Sequence, residues 1–302
     1  KTSVMEELLS LCQTTPCASL PSVAGVTIPS DTPFAKALQI LRDNKILSVP
    51  LIEDGKVVAL FDRLDAVAFV LSRLDKVDEE EREAILDTLA KEGSILTSTA
   101  VSQVANLSER NPLRKIPESS TVFEAMKHLT SSHRVVVVNE GGAFVRVVSQ
   151  SDIVRLFADN VKLFGDLATM TVGKLGLQLS PSLLSGVVTV HQDECAADAF
   201  QTLLDNNVTA IPVVDGSGHL VSHLSASDLS TMDAESLLCL LDPVDSLHPE
   251  AKVPVACKLT DQLSTVLTQF ATTGVHRLYV VDEENSPVGV ISLTDIVKLV
   301  VG

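Results

Sequence analysis

The chain has 302 residues and a formal net charge of -16 at pH 7, and 45% of its residues are apolar. That apolar share is ample for packed cores. The acidic balance excludes nucleic acid as the main partner and argues against anionic membrane surfaces, because both require a basic face. Trp is absent and Tyr279 is the only tyrosine, so no large aromatic platform is available for stacking.

Apolar runs such as residues 135–138 and 299–301 fall far short of the roughly 20 residues a membrane helix needs. Cys12, Cys17, Cys195, Cys239 and Cys257 include no C-x-x-C pair and are odd in number. They point away from a disulfide framework and towards a reducing compartment, cytoplasmic and also nuclear. No charged-then-apolar signal segment opens the chain, and because Lys1 is not a Met, a preceding targeting segment stays open.

The first predicted helix has Pro33 at its first position behind the polar Thr32 as cap. Phe34, Ala37, Leu38 and Leu41 recur at helical spacing and make one apolar face. Residues 46–52 read as a strand, Glu53-Asp54-Gly55 as a hairpin turn, residues 56–61 as the return strand, and Asp65 opens a helix over 66–71. The acidic run 75–83 reads as a solvated helical linker.

The same pattern then returns three times. Val122, Ala125, Met126 and Leu129 lead to a hairpin over 135–148; Ala196, Ala199, Phe200 and Leu203 lead to one over 211–224; Leu263, Val266, Leu267 and Phe270 lead to one over 278–291. Gly165, Gly173 and Gly176 suit residues 159–181 to a flexible or turning connection between the halves.

Each unit is therefore strand, helix, strand, strand, helix, an α/β (α+β) class. The units are placed at residues 12–74, 100–160, 168–234 and 243–302. A three-stranded sheet with helices on one face leaves its apolar surface half covered, so the units are expected to pair into two modules.

Every hairpin ends in a short polar step: Asp62-Arg63-Leu64-Asp65, Ser149-Gln150-Ser151-Asp152, Ser225-Ala226-Ser227-Asp228 and Ser292-Leu293-Thr294-Asp295. Two His-Arg pairs, His133-Arg134 and His276-Arg277, precede the hairpins of units two and four. On these features the chain resembles proteins built of CBS domains. The set of four, in two paired (Bateman) modules forming a disc, resembles the regulatory gamma subunits of AMP-activated and sucrose-non-fermenting-type protein kinases. The stretch 105–112 also looks like the segment before the second repeat of plant and protist members.

The resemblance implies adenine nucleotides, AMP, ADP or ATP, in clefts between paired repeats, and the residue chemistry suits them. A carboxylate at a helix start, Asp65, Asp152, Asp228 or Asp295, spans the two hydroxyls of a ribose. Ser149, Ser151, Ser225, Ser227, Ser292 and Thr294 offer hydroxyls to phosphate near the positive end of the same helix. The alternative for each step is that Ser or Thr followed by Asp is simply a helix cap. By resemblance His133, Arg134, His276 and Arg277 contact phosphate around the centre of the disc. Strand alternation would send His and Arg of one pair to different sides of the cleft.

Unit one departs from the pattern. Leu47 stands where animal gamma subunits carry Arg, and a phosphate there would meet Asp62 unless Arg63 turns inward. Unit two has Gln150 and no phosphate-binding Lys. Unit three has Thr209 and Ala210 in place of a His-Arg pair and would borrow cations from unit four. Fewer fixed cations favour AMP or ADP over ATP.

Catalysis finds no support. His191, His219, His223 and Cys195 make no metal or nucleophile spacing, and Asp193-Glu194 reads as a helix-start acidic pair. Gly141-Gly142 and Gly216-Ser217-Gly218 are hairpin turns, not phosphate loops. The chain ends at Gly302 directly after unit four, and no catalytic domain is expected to follow.

The expectation is a non-catalytic, energy-sensing regulatory subunit without metal or catalytic cofactor. Its partners would be adenine nucleotides and the catalytic and scaffold subunits of a protein kinase, with homodimerisation open. The alternatives are a ligand-free interaction scaffold, or a stand-alone nucleotide-responsive regulator of a non-kinase partner.

Overall fold

The computed structural model describes residues 2–21, 25–73, 81–82, 84–85, 98–179, 186–231, 235–247 and 253–302. Four three-stranded sheets carry the four units. They are β1 (Ile28–Pro29), β2 (Ser48–Glu53) and β3 (Lys56–Asp62); β4 (Lys115–Pro117), β5 (Arg134–Val138) and β6 (Phe144–Ser149); β7 (Val190–His191), β8 (Ala210–Val214) and β9 (Leu220–Ser225); β10 (Ala256–Lys258), β11 (Arg277–Val281) and β12 (Pro287–Ser292). In each sheet a short strand runs parallel to the middle one, which pairs antiparallel with the third. All four hairpins shift register at one equivalent place, between Leu51 and Ile52, Val137 and Val138, Val213 and Val214, and Val280 and Val281. The first hairpin closes in two residues, Asp54 and Gly55, with φ of 49° and 74°, the left-handed pair that matches strand twist.

The entry helices are Phe34–Asp43, Val122–Leu129, Ala196–Asp205 and Leu263–Thr273. Their apolar stripes are buried as the spacing predicts, with Phe34, Ala37, Leu41, Met126, Phe200 and Leu267 fully out of solvent. The first helix starts one residue later than expected. Pro33 is its N-cap, extended at φ -56° and ψ 139°, and Thr32 lies outside. A bridge from Pro33 to Ala100 holds that extended conformation.

The bridge belongs to an exchange repeated in every unit. The segment leading into unit two packs on the first helix of unit one, and the segment leading into unit one packs on that of unit two; units three and four exchange in the same way. Phe34 N–H donates to Thr99 O, Val122 to Thr15 O, Ala196 to Asp242 O and Leu263 to Met170 O, all at 2.8–3.0 Å. Return bonds run from Val101 to Thr32, Cys17 to Ser120, Val244 to Glu194 and Val172 to Asp261. The first N–H of a helix has no partner inside the helix, so the exchanged segment satisfies it. The leading parts of the ranges 12–74, 100–160, 168–234 and 243–302 thus fold against the neighbouring unit.

Two large apolar cores cross the modules. One joins units one and three, with Phe34, Phe61, Val67, Phe200 and Leu229 among its members. The other joins units two and four, with Met126, Ile153, Phe157, Phe270 and Val297. Within each module the sheets meet in a smaller cluster: Val57, Leu60 and Val136 between units one and two, and Leu220, Tyr279 and Val281 between units three and four. Two modules form as expected, and their helices also pack across the boundary between them, in the core of units one and three and in that of units two and four. Each large apolar side chain removed from water in those cores contributes about 1.5–3 kcal/mol.

The described part of the connection, up to Leu179, is not a loose linker. It is a 3-10 helix, Val161–Thr169, followed by an α-helix, Val172–Leu179. Gly165 at φ 51° makes the kink, and Phe164 and Leu175 are buried in the core of units two and four. The turning capacity of glycine was the correct signal, and the apolar residues between the glycines decided the packing. The acidic run 75–83 lies outside the described residues except at Glu81 and Arg82, which are helical. Arg82 pairs with Asp198 of unit three at 3.0 Å.

Candidate functional site

The middle strands β5 and β11 begin directly across the ladder from the caps of the exit helices, Arg134 opposite Ser149 and Arg277 opposite Ser292. This register brings strand starts and helix starts from all four units to one cavity of about 390 Å³. Helix starts carry partial positive charge, and the cavity adds four guanidinium groups, those of Arg63, Arg110, Arg134 and Arg277. His133 and His276 line it as well. Each His precedes the first residue of its strand, so strand alternation does not separate it from its Arg. The expected division between two sides of a cleft gives way to a shared wall.

This is an unusual concentration of cations in an acidic chain. Burial lowers the pKa of Arg63, Arg110, Arg134 and Arg277, and it outweighs the attraction of Asp228 for Arg63, Asp62 for Arg110, and Asp62 and Asp152 for Arg134. Burial and the neighbouring Arg134 and Arg277 push His276 down to about 4. Burial, then Arg134 and Arg110, hold His133 well below its usual range. Burial first, and then the neighbouring arginines, keep both imidazoles neutral at pH 7. An anion would relieve the repulsion from those arginines.

Arg63 is among the residues lining the cavity; its Nη2 donates to Leu41 O at 3.4 Å, and the carboxylate that attracts it is Asp228. Asp62 caps its helix by accepting from the N–H groups of Leu64 at 2.8 Å and Asp65 at 3.1 Å, and its other oxygen accepts from Asn111 Nδ2. Arg277 reaches from unit four into unit three, donating to the carbonyl of Ala210 and to Thr209 Oγ1. The residues that replace a His-Arg pair in unit three are therefore the anchor of unit four's arginine.

The acidic residues separate into two groups. Asp295 lines the cavity, whereas Asp65, Asp152 and Asp228 do not. One oxygen of each of the last three acids accepts from its own cap residue: Asp152 from Ser149 N–H and Oγ at 2.8 Å each, Asp228 from Ser225 at 2.6 and 2.9 Å, and Asp295 from Ser292 at 2.8 and 2.6 Å. The hydroxyls of Ser149, Ser225 and Ser292 thus donate to a carboxylate and not outward to phosphate. The capping alternative describes them, because a helix start leaves backbone donors that such a box satisfies. Ser227 and Thr294 line the cavity and Ser151 does not. Thr294 Oγ1 accepts from Gln150 Nε2 at 2.9 Å, a link between units four and two.

Asp65 is furthest from the expected role. It is 2% exposed, and one oxygen accepts from Asp62 N–H while the other accepts from Ser108 N–H at 3.1 Å and Ser108 Oγ at 2.6 Å. Burial, then the neighbouring Asp62, push its pKa up to about 6.

Arg110, Asn111, Ser108 and Tyr279 were not singled out from the sequence. The polar run 105–112 between two units was visible, but its contacts with Asp62 and Asp65 required the fold. Among the described residues no group of three or more His, Cys, Asp or Glu side chains is placed to hold a metal ion. Likewise, none of their helices is long and apolar enough to cross a membrane.

CBS domain matches cover residues 19–72, 102–159, 183–234 and 250–302, and the chain belongs to the CBS domain family. It is 25% identical over 291 residues to the 5'-AMP-activated protein kinase subunit gamma of Saccharomyces cerevisiae, covering 88% of this chain and 83% of that one. It is 23% identical to the SNF1-related protein kinase regulatory subunit gamma-like PV42b of Arabidopsis thaliana, covering 91% and 90%. It is also 29% identical over 226 residues to Protein SDS23 of Yarrowia lipolytica, a match that spans 72% of this chain and only 44% of that protein. The fold is shared with protein MJ1225 of Methanocaldococcus jannaschii, proposed as an archaeal homologue of g-AMPK, at a TM-score of 0.74 and 18% identity over 94% and 99% of the two chains.

Proposed function

We propose that this CBS protein is a non-catalytic regulatory subunit of a protein kinase that binds AMP, ADP or ATP in the cavity shared by its four units. One observation carries the reading: four arginines and two neutral histidines converge on one cavity of a chain whose net charge is -16. Such a cluster raises the energy of the ligand-free protein and is compensated by phosphate, for which guanidinium is the preferred partner. Arg134, Arg277, His133 and His276 would face phosphate, Ser227 and Thr294 would add hydroxyls, and Asp295, which lines the same cavity, would accept from the ribose. The likeness to two kinase gamma-type subunits over most of their length supports the kinase as partner. A nucleotide would shift that partner only by as much as it prefers one assembly state over another.

The test is calorimetry of AMP, ADP and ATP against nucleotide-stripped protein and against Asp295→Ala. Micromolar binding that weakens in the variant is expected. Folded, stripped protein that binds none of the three would leave the second reading, an interaction scaffold. The internal satisfaction of Asp65 by Ser108 favours that reading for unit one.

A further inference from the structure

The two modules are built on one plan, which makes their differences informative. The register places four equivalent cross-strand pairs where the sheets of a module meet: Pro50–Leu60, Val136–Val147, Pro212–His223 and Tyr279–Val290. Between units one and two all four residues are apolar, and Leu60 and Val136 are buried at 2% and 0% exposure. Between units three and four, His223 and Tyr279 replace two of them, with ring centroids 6.3 Å apart. The first junction is closed by aliphatic packing, and the second carries polar atoms.

Tyr279 is 2% exposed and lines the four-unit cavity, yet its hydroxyl has no hydrogen-bond partner among the described residues. A buried tyrosine hydroxyl ordinarily finds a partner, because leaving it unpaired is costly. Its ring packs with Leu220 and Val281 in an apolar slot. Tyr279 follows Arg277 by two residues on the same strand face, so their Cα atoms are about 7 Å apart along the strand. Burial raises its pKa to about 12, so the group stays a neutral donor.

We propose that Tyr279 is a specificity-determining residue of the junction between units three and four. Its hydroxyl donates a hydrogen bond to an acceptor on the ring portion of a phosphorylated ring compound whose phosphate lies against the cations around Arg277. The inference rests on the adenine-nucleotide reading above, where the acceptor belongs to the nucleoside part. A phosphate alone would reach the guanidinium groups without engaging Tyr279.

The chain supplies its own reporter, because it has no Trp and Tyr279 is its only tyrosine. AMP and inorganic phosphate are titrated calorimetrically into wild type and Tyr279→Phe, and the tyrosine emission of wild type is followed with AMP. Expected are about tenfold weaker AMP binding in the variant, unchanged phosphate binding, and an emission change that saturates at the calorimetric AMP concentration. Equal AMP affinity in both proteins, with emission unmoved at saturating AMP, overturns the proposal and leaves the nucleotide reading intact. Equal weakening of phosphate and AMP overturns the assignment to the ring. Absence of any AMP binding by wild type brings down the nucleotide reading and this inference together. If Tyr279→Phe does not fold, the wild-type emission decides alone.

Discussion

Ser108 donates both its backbone N–H and its hydroxyl to the same oxygen of Asp65, at 3.1 and 2.6 Å. Two adjacent donors on one carboxylate are what a ribose diol would present, so the loop between units one and two supplies from within the chain the contacts expected of a ligand. Ser108→Ala should destabilise the protein by about 1–3 kcal/mol at pH 7, because a buried carboxylate loses a donor. The loss should shrink at pH 5, where Asp65, with its pKa near 6, is mostly protonated. Urea denaturation at both pH values measures it.

Arg134 is buried between cationic neighbours, Arg63, His133 and His276, and two carboxylates, Asp62 and Asp152. Arg134→Met should move the melting temperature of stripped protein little, since relief of repulsion with Arg63 and the imidazoles is set against the lost attraction of Asp62 and Asp152, and should weaken AMP binding ten- to hundredfold. Thermal melting beside calorimetry checks the pair of effects, and unchanged affinity would count against the phosphate role.

Acid should destabilise the ligand-free protein through its imidazoles. The pKa of His276 is about 4 in the fold against an ordinary 6.5, so between those values the unfolded chain holds a proton the folded chain lacks. Stability from this group is complete above pH 6.5 and falls as pH drops towards 4. Asp65 has the opposite sign: its value of about 6 lies above the usual 3.8, so its contribution is complete below 3.8 and is lost as pH rises through 6. His276→Gln should therefore remove about 2–3 kcal/mol of acid destabilisation, visible in denaturation curves from pH 7 to pH 4.

Anion binding should reverse the depression of His276. Calorimetry of AMP at pH 6 in two buffers of different ionisation enthalpy should show more proton uptake in wild type than in His276→Gln. The difference between the two proteins isolates the imidazole from the phosphate's own titration.

The repeat was legible because it is local: apolar residues at helical spacing, a two- or few-residue turn and a capped helix start are each written within about ten positions. Even the ambiguity of the Ser-to-Asp steps was visible, and Ser149 and Ser292 form capping boxes because an unpaired helix-start N–H is satisfied by the nearest acceptor. Arg110 and Tyr279 were not assigned to the site for the converse reason. A lone Arg in a loop and a lone Tyr in a strand carry no spacing signal, and their meaning depends on units far apart in sequence.

The sequence by itself determined four like units, their strands and helices, the acidic exterior and the two His-Arg pairs. Only the tertiary structure decided that each leading segment folds on its neighbour, that the large cores join unit one to three and two to four, and which charged groups share a cavity. These decisions concern the burial of apolar faces and the pairing of buried polar atoms between distant segments. Their free energy depends on which surfaces meet, and periodicity along one chain does not specify that.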